Sequence, residues 1–130
     1  ITFTAQFGDL DPMQVMWHGH YARVLEQARD ALMEKIGYSY PQMRASGYMW
    51  PIVELQLKYV KPIRLGQHVR VEASLLEYRN RLKIAYRCLD EANGELLTKS
   101  HSVQVAVSLA RHELHLDSPP ELIKCVEALL

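Results

Sequence analysis

Two carboxylates and two imidazoles lie close together in the stretch Phe7-Gly8-Asp9-Leu10-Asp11-Pro12-Met13-Gln14-Val15-Met16-Trp17-His18-Gly19-His20-Tyr21. The run starts as a strand, passes through a loop rich in turn formers and feeds the first turn of a helix. The unpaired N–H groups and positive dipole end of a helix start can hold a developing negative charge. A carboxylate delivered beside such an end, as Asp11 is, makes a possible reaction centre. The plain alternative is that Asp11, next to Pro12, only begins a turn, and that His18 only packs or faces water. A metal site is not expected. The acids and the histidines are each spaced by two in a loop, with no pair four apart on a helix.

The elements that must position this loop are legible from periodicity. Tyr21, Val24, Leu25, Ala28, Leu32 and Ile36 form one apolar helical stripe, opposite Arg23, Glu26, Gln27, Asp30 and Glu34. Gly37 is a suitable stop. Ile1 to Phe7 reads as a short strand. Ser39 to Ser46 reads as a brief second helix, with Ser39 and Gln42 at capping-box spacing. Four runs then alternate with period two: Val53 to Tyr59, His68 to Leu75, Leu82 to Cys88 and Ser100 to Leu109. Turn chemistry separates them at Pro62–Gly66, Tyr78–Arg81 and Asn93–Gly94. A last helix is expected from Ser118-Pro119-Pro120-Glu121 to Leu130, with Leu122, Ile123, Val126 and Leu129 or Leu130 inward. Five strands and one long helix make an antiparallel sheet with a helix laid across it, each strand burying its apolar face on the helical stripe. Such a sheet leaves an edge that an identical partner can cover.

Composition bounds the rest. The 130 residues, 48% hydrophobic and 23% charged, suit one domain over 1–130 with one core. Fifteen basic and fifteen acidic side chains cancel, which gives no electrostatic reason for a nucleic-acid partner. No apolar run approaches the ~20 residues of a membrane span, and no signal-peptide pattern is visible. Cys88 and Cys125 stand far apart, as in a chain kept in a reducing cytoplasm. The chain opens on Ile1 rather than Met, so a short preceding piece is expected.

Asp11-Pro12-x-x-Val15-x-Trp17-His18-Gly19-x-Tyr21, followed by Glu26-x-Ala28-Arg29, resembles the signature of the 4-hydroxybenzoyl-CoA thioesterase branch of hotdog-fold proteins. The similarity continues through Leu55-x-Leu57-x-Tyr59-x-x-Pro62 to the closing strands. It implies an α+β hotdog fold, a five-stranded antiparallel sheet wrapped around one long central helix. It also implies a homodimer or homotetramer with the active site between subunits. The implied reaction is hydrolysis of an acyl- or aryl-thioester of coenzyme A or an acyl carrier protein, with no cofactor. A thioester carbonyl is electrophilic and its thiolate leaves readily, so a carboxylate that is nucleophile or base, plus a donor for the oxyanion, suffices. The resemblance casts Asp11 as that carboxylate. The backbone N–H near His18, with that of Gly19, becomes the oxyanion donor.

Other candidates carry weaker signals. Trp17 and Tyr21, with Trp50 and Tyr59, could line an acyl pocket, although aromatics at these spacings are mostly core. Arg79, Arg81 and Lys83 flank one turn and could meet coenzyme A phosphates, where a solvated charge run is the plainer reading. Glu54 lies on the polar side of its strand and reads as a solvated or interface acid. The nearest rival is hotdog hydratase or dehydratase chemistry, echoed by Gly8-Asp9-Leu10-Asp11-Pro12-Met13, but Gln14 stands where that motif needs a base. A non-catalytic acyl-binding hotdog domain is the other alternative, and release of free thiol from acyl-CoAs separates it from an enzyme.

Overall fold

The computed structural model describes residues 1–111, 113–115 and 118–130. Along the chain run β1 (Thr2–Thr4), a single 3₁₀ turn at Phe7–Asp9, α1 (His18–Ile36), α2 (Tyr40–Ala45), β2 (Tyr48–Met49), β3 (Ile52–Tyr59), β4 (His68–Glu77), β5 (Leu82–Asp90), β6 (Leu96–Gln104), β7 (Ala106–Ser108), β8 (Leu114–His115) and α3 (Pro120–Glu127). The main sheet has the order β1-β4-β5-β6-β3, antiparallel throughout. It wraps around α1, which is the hotdog arrangement.

Helix α1 buries Tyr21, Leu25, Ala28, Met33 and Ile36. Met33 widens the stripe beyond the residues read from spacing. Fully burying one such side chain is worth roughly 1.5–3 kcal/mol, so this face alone holds the helix in the palm of the sheet. Gly37 ends it in the left-handed region at φ 91°, and its N–H reaches the Met33 and Glu34 carbonyls at 3.1 Å. A Cβ there meets no neighbour, so the penalty is conformational only. Gly37→Ala should therefore lower unfolding free energy by about 1 kcal/mol, read as a reduced urea midpoint at unchanged slope.

The palm is built by Val69 and Val71 of β4 and by Leu82, Ile84, Tyr86 and Cys88 of β5, all buried. Strand β6 departs from expectation. Its polar row, Thr98, Ser100, Ser102 and Gln104, is buried, while in the row that begins at His101 Val103 is buried and His101 is not. The two serines there have partners within reach. Ser102 Oγ meets the Tyr86 hydroxyl at 2.9 Å, and Ser100 donates to the Gln56 carbonyl. The alternating run also breaks at Val105, whose N–H turns to the Pro51 carbonyl at 3.3 Å. Beyond it the chain enters a second, three-stranded sheet, β2-β7-β8, which the periodicity did not announce.

Strand β3 also differs from the reading. It is an edge strand, and Ile52, Val53, Leu55 and Tyr59 are exposed, with Leu57 only partly buried against the core. The helix covers the middle of the sheet and leaves this edge open. At the other end, α3 buries Leu122 and Val126 but stops at Glu127. Leu129 and Leu130 are exposed rather than inward. Helix α2 is anchored from below: Trp50 Nε1 donates to the Tyr38 hydroxyl at 3.4 Å, which meets Ser46 Oγ at 2.7 Å.

Candidate active site

The Asp11 loop is a tight backbone structure before it is anything else. Asp11 N–H bonds the Val15 carbonyl and Gln14 N–H the Asp11 carbonyl, both at 2.9 Å. Gln14 takes a positive φ of 63° to close the turn. Leu10 bridges Met16, Val15 bridges Arg64, and Met16 N–H reaches the Ile63 carbonyl at 2.7 Å. The loop is thereby tied to the β3–β4 connection and held against the sheet.

Within it, the two oxygens of Asp11 differ. Oδ1 accepts from Met13 N–H at 2.8 Å and from Val15 N–H at 3.4 Å, the side-chain turn that aspartate makes well. Oδ2 accepts no hydrogen bond among the described residues. So the carboxylate does set a turn, as the plain reading held, and the same turn points its second oxygen away from backbone donors. Asp9 is placed otherwise. Its Oδ2 accepts from Gln6 N–H at 2.9 Å, and its Oδ1 lies 3.8 Å from His20 Nδ1.

Helix α1 starts without a side-chain cap at Trp17. Trp17 N–H bonds the Asp9 carbonyl, and His20 N–H the Trp17 carbonyl, both at 2.9 Å. The N–H groups of His18 and Gly19 have no acceptor among the described residues. Two orphan donors at a helix start suit a carbonyl oxygen that gains negative charge. The Trp17 ring, half-exposed, lies against both imidazoles, with centroids 5.2 Å from His18 and 5.5 Å from His20. It also fills the space over Gly19, where a Cβ would come within 2.3–2.7 Å of the ring. Gly19→Ala should therefore push the ring outward. The Trp17 indole N–H resonance should move while that of Trp50 stays, and turnover should drop about tenfold as the donors lose their cover.

The structure separates the remaining candidates. Tyr21 is core, 3% exposed, edge-on to Tyr59 at 5.0 Å. Burial pushes its phenol above the usual range, with the Thr98 hydroxyl and the Ile63 backbone opposing. It can only form the wall behind the helix start. Arg79, Arg81 and Lys83 lie at the β4–β5 turn, whereas the Asp11 loop bonds the β3–β4 connection, before the other end of β4. Ten residues of β4 separate them, about 30 Å at ~3.3 Å per residue. Two of these cations also have carboxylate partners, Arg79 with Glu127 at 2.6 Å and Arg81 with Glu77 at 3.0 Å. Within one chain the basic cluster and Asp11 do not meet. Glu54 is exposed, 3.5 Å from His101. Cys88, a rival nucleophile by residue type, is buried, which pushes its thiol up to about 11 and keeps it neutral.

Sequence reasoning passed over a cavity of about 860 Å³ between α1, α2 and β2 with the link that follows it, with Met33, Trp50 and Gln104 in its lining. Gln104 was hidden by sitting in the polar row of β6, which an alternation rule assigns to water. Arg29, quoted as part of the helix signature, lines the same cavity. Its side chain is 13% exposed, 3.6 Å from Glu26, and lies against Tyr86.

Known proteins resemble this chain along most of its length. The family model described as the thioesterase-like superfamily matches residues 5–124. YneP of Bacillus subtilis (strain 168), named as a candidate acyl-CoA thioesterase, is 27% identical over 103 residues, 78% of this chain and 74% of that one. The crystal structure of hypothetical protein TT1821 from Thermus thermophilus is 28% identical at a TM-score of 0.87, covering 100% of this chain and 98% of that one. The DHNA-CoA thioesterase from Staphylococcus aureus is 27% identical at a TM-score of 0.86, covering 99% and 88%.

Proposed function

We propose, from the premise that this chain belongs to the thioesterase-like superfamily, that it hydrolyses a thioester of coenzyme A with Asp11 as its nucleophile. The observation that carries this reading is the asymmetric Asp11 carboxylate, with Oδ1 fixed by two N–H groups and Oδ2 open. Asp11 Oδ2 adds to the thioester carbonyl carbon, whose oxygen is held by the His18 and Gly19 N–H groups as it gains charge. The C–S bond then breaks and coenzyme A leaves as the thiolate, taking a proton from water. Water next adds to the Asp11 side-chain carbonyl of the resulting anhydride. That releases the free acid and restores the Asp11 carboxylate, with one proton passing to solvent. The relatives named for CoA thioesters support the substrate class. The test is release of free thiol from a panel of aroyl- and alkanoyl-CoAs, with the same acyl groups on a carrier protein as a second arm. A panel without turnover would leave only a binding role.

The working unit is a homodimer, or a tetramer built from it, paired through β3. This strand offers an unpaired backbone edge and the exposed side chains Ile52, Val53, Leu55 and Tyr59. An edge that long and apolar is normally covered. Two-fold antiparallel pairing sets the Ile52 end of one copy beside the Tyr59 end of the other. The partner's β4–β5 turn then lies towards this chain's Asp11 loop, so Arg79, Arg81 and Lys83 serve the phosphates of a substrate held by the other subunit. No helix among the described residues is long and apolar enough to cross a membrane, and the reaction needs none.

A further inference from the structure

We propose that the face of the sheet turned away from α1 carries a binding site for an oligophosphate, in a hollow between Lys58, Lys83 and Lys99. On β5 the core residues are Leu82, Ile84, Tyr86 and Cys88, so Lys83, Ala85 and Arg87 stand on the opposite face. The register sets Lys58 of β3 directly opposite Lys99 of β6, and Lys99 directly opposite Arg87 of β5. Three cations abreast on paired strands repel one another and weaken the pairing. Arg87 is relieved by Glu72 at 2.5 Å, and Arg70 shares the same carboxylate at 3.3 Å. Among the described residues, Lys58, Lys83 and Lys99 have no carboxylate partner. The strand arginines are thus engaged, and the strand lysines are left over.

Those three lysines line one hollow of about 340 Å³, together with Leu76, Ala85 and His101. The small Ala85 side chain leaves the room. No described residue in the lining is a carboxylate. Glu54, nearby on the same face, lies 3.5 Å from His101 and accepts from Gln56 Nε2 at 3.1 Å. Residue type and spacing then define the ligand. Lysine meets phosphate as a point charge, whereas a planar carboxylate is best met by an arginine fork. Lys83 stands four residues from Arg87 along β5, about 13 Å at ~3.3 Å per residue. Charge spread along a chain of phosphates meets both ends of this array better than one compact anion does. A concave hollow of this size suits a small ligand rather than an acidic protein surface. A second copy laid face to face would set the same lysines against one another, so it is not the occupant. Lys83 also serves coenzyme A phosphates in the proposed function, but Lys58 and Lys99 do not, and the site does not rest on that reading.

The test is calorimetric titration of the whole chain with tripolyphosphate. No thioester is present, so its failure and a failure of hydrolysis are separate results. The parent protein should bind tripolyphosphate about tenfold or more tighter than sulfate at matched ionic strength. Lys58→Gln combined with Lys99→Gln should weaken tripolyphosphate by about tenfold or more. Lys35→Gln combined with Lys124→Gln removes the same charge from exposed helix positions. Distant charges are screened, so that pair should change affinity by less than about twofold. In urea, tripolyphosphate should raise the unfolding midpoint of the parent and not that of the Lys58 and Lys99 double variant. The His101 ring resonances should shift on binding, while those of His68, bonded to Thr4 at the start of β4, stay. Adenosine triphosphate separates two sources of such a chain. Affinity no better than that of tripolyphosphate assigns the site to a free oligophosphate, and tighter binding assigns it to a nucleotide. Equal affinity for sulfate and tripolyphosphate, equal losses in the two double variants, or unmoved His101 resonances would overturn the proposal.

Discussion

Asp11→Asn should reduce the catalytic rate by at least ~10², with the fold and the oligomer intact. The expectation of an intact fold comes from the turn. Asparagine keeps an oxygen at the Oδ1 position, and that oxygen can still accept from the Met13 and Val15 N–H groups. What the substitution removes is the second oxygen, the one without a partner, and puts in its place an amide NH₂ that neither attacks a carbonyl nor takes a proton. The two roles of Asp11 are thus divided between its two oxygens, and asparagine preserves one role while deleting the other. A drop of ~10² is the lower end for a general base, and loss of a nucleophile costs more. Circular dichroism, urea unfolding and light scattering should match the parent protein. Asp9→Asn is the control: its Oδ2 accepts from Gln6 N–H, its Oδ1 faces His20 Nδ1 at 3.8 Å, and its rate should fall far less. Single-turnover reaction in ¹⁸O-water separates nucleophile from base, because attack by Asp11 places label in the Asp11 carboxylate and attack by water places it only in the product acid. Near-parental turnover by Asp11→Asn would remove Asp11 from the mechanism altogether.

How far such a site can be read from residues alone depends on which signals are local. Helix α1, its stop at Gly37 and the loop that carries Asp11 are set by neighbours in sequence: an apolar stripe, a left-handed glycine, a side-chain turn. Each was legible. The fates of β3 and β6 were not, because alternation reports that a strand has two unlike faces and not which face meets a helix. In β6 the hydroxyl row faces inward since Tyr86 from β5 and the Gln56 carbonyl from β3 stand opposite it, and those partners come from distant segments. In β3 the apolar row is exposed because the helix lies over the middle of the sheet. The same limit applies to function. Arg79, Arg81 and Lys83 are neighbours in sequence, but only the register of β4 against β5 reveals that they stand a strand's length from Asp11.

The open edge of β3 leads to the other large expected effect. Val53→Lys combined with Leu55→Lys should convert the oligomer to a single chain and lower kcat/KM by at least ~10². Both side chains are exposed, at 58% and 38%, so lysine is tolerated in the separated chain and the stability of each subunit should change little. Across a two-fold seam every substitution appears twice, which sets four added ammonium groups along one strand pair. Like charges directly opposite on paired strands destabilise the pairing, and lysine on an edge strand is the usual device that prevents it. Neither residue touches the Asp11 loop, so a fall in rate reports the missing partner and not a damaged nucleophile. The partner's absence leaves the open side of this chain's sheet unwalled, and a substrate held on one side only loses the positioning that makes a reaction effectively unimolecular. Light scattering should give a multiple of the 15.0 kDa chain mass for the parent protein and the chain mass itself for the double variant, with activity lost in step. A double variant that was fully active as a single chain would show that one subunit holds the complete site.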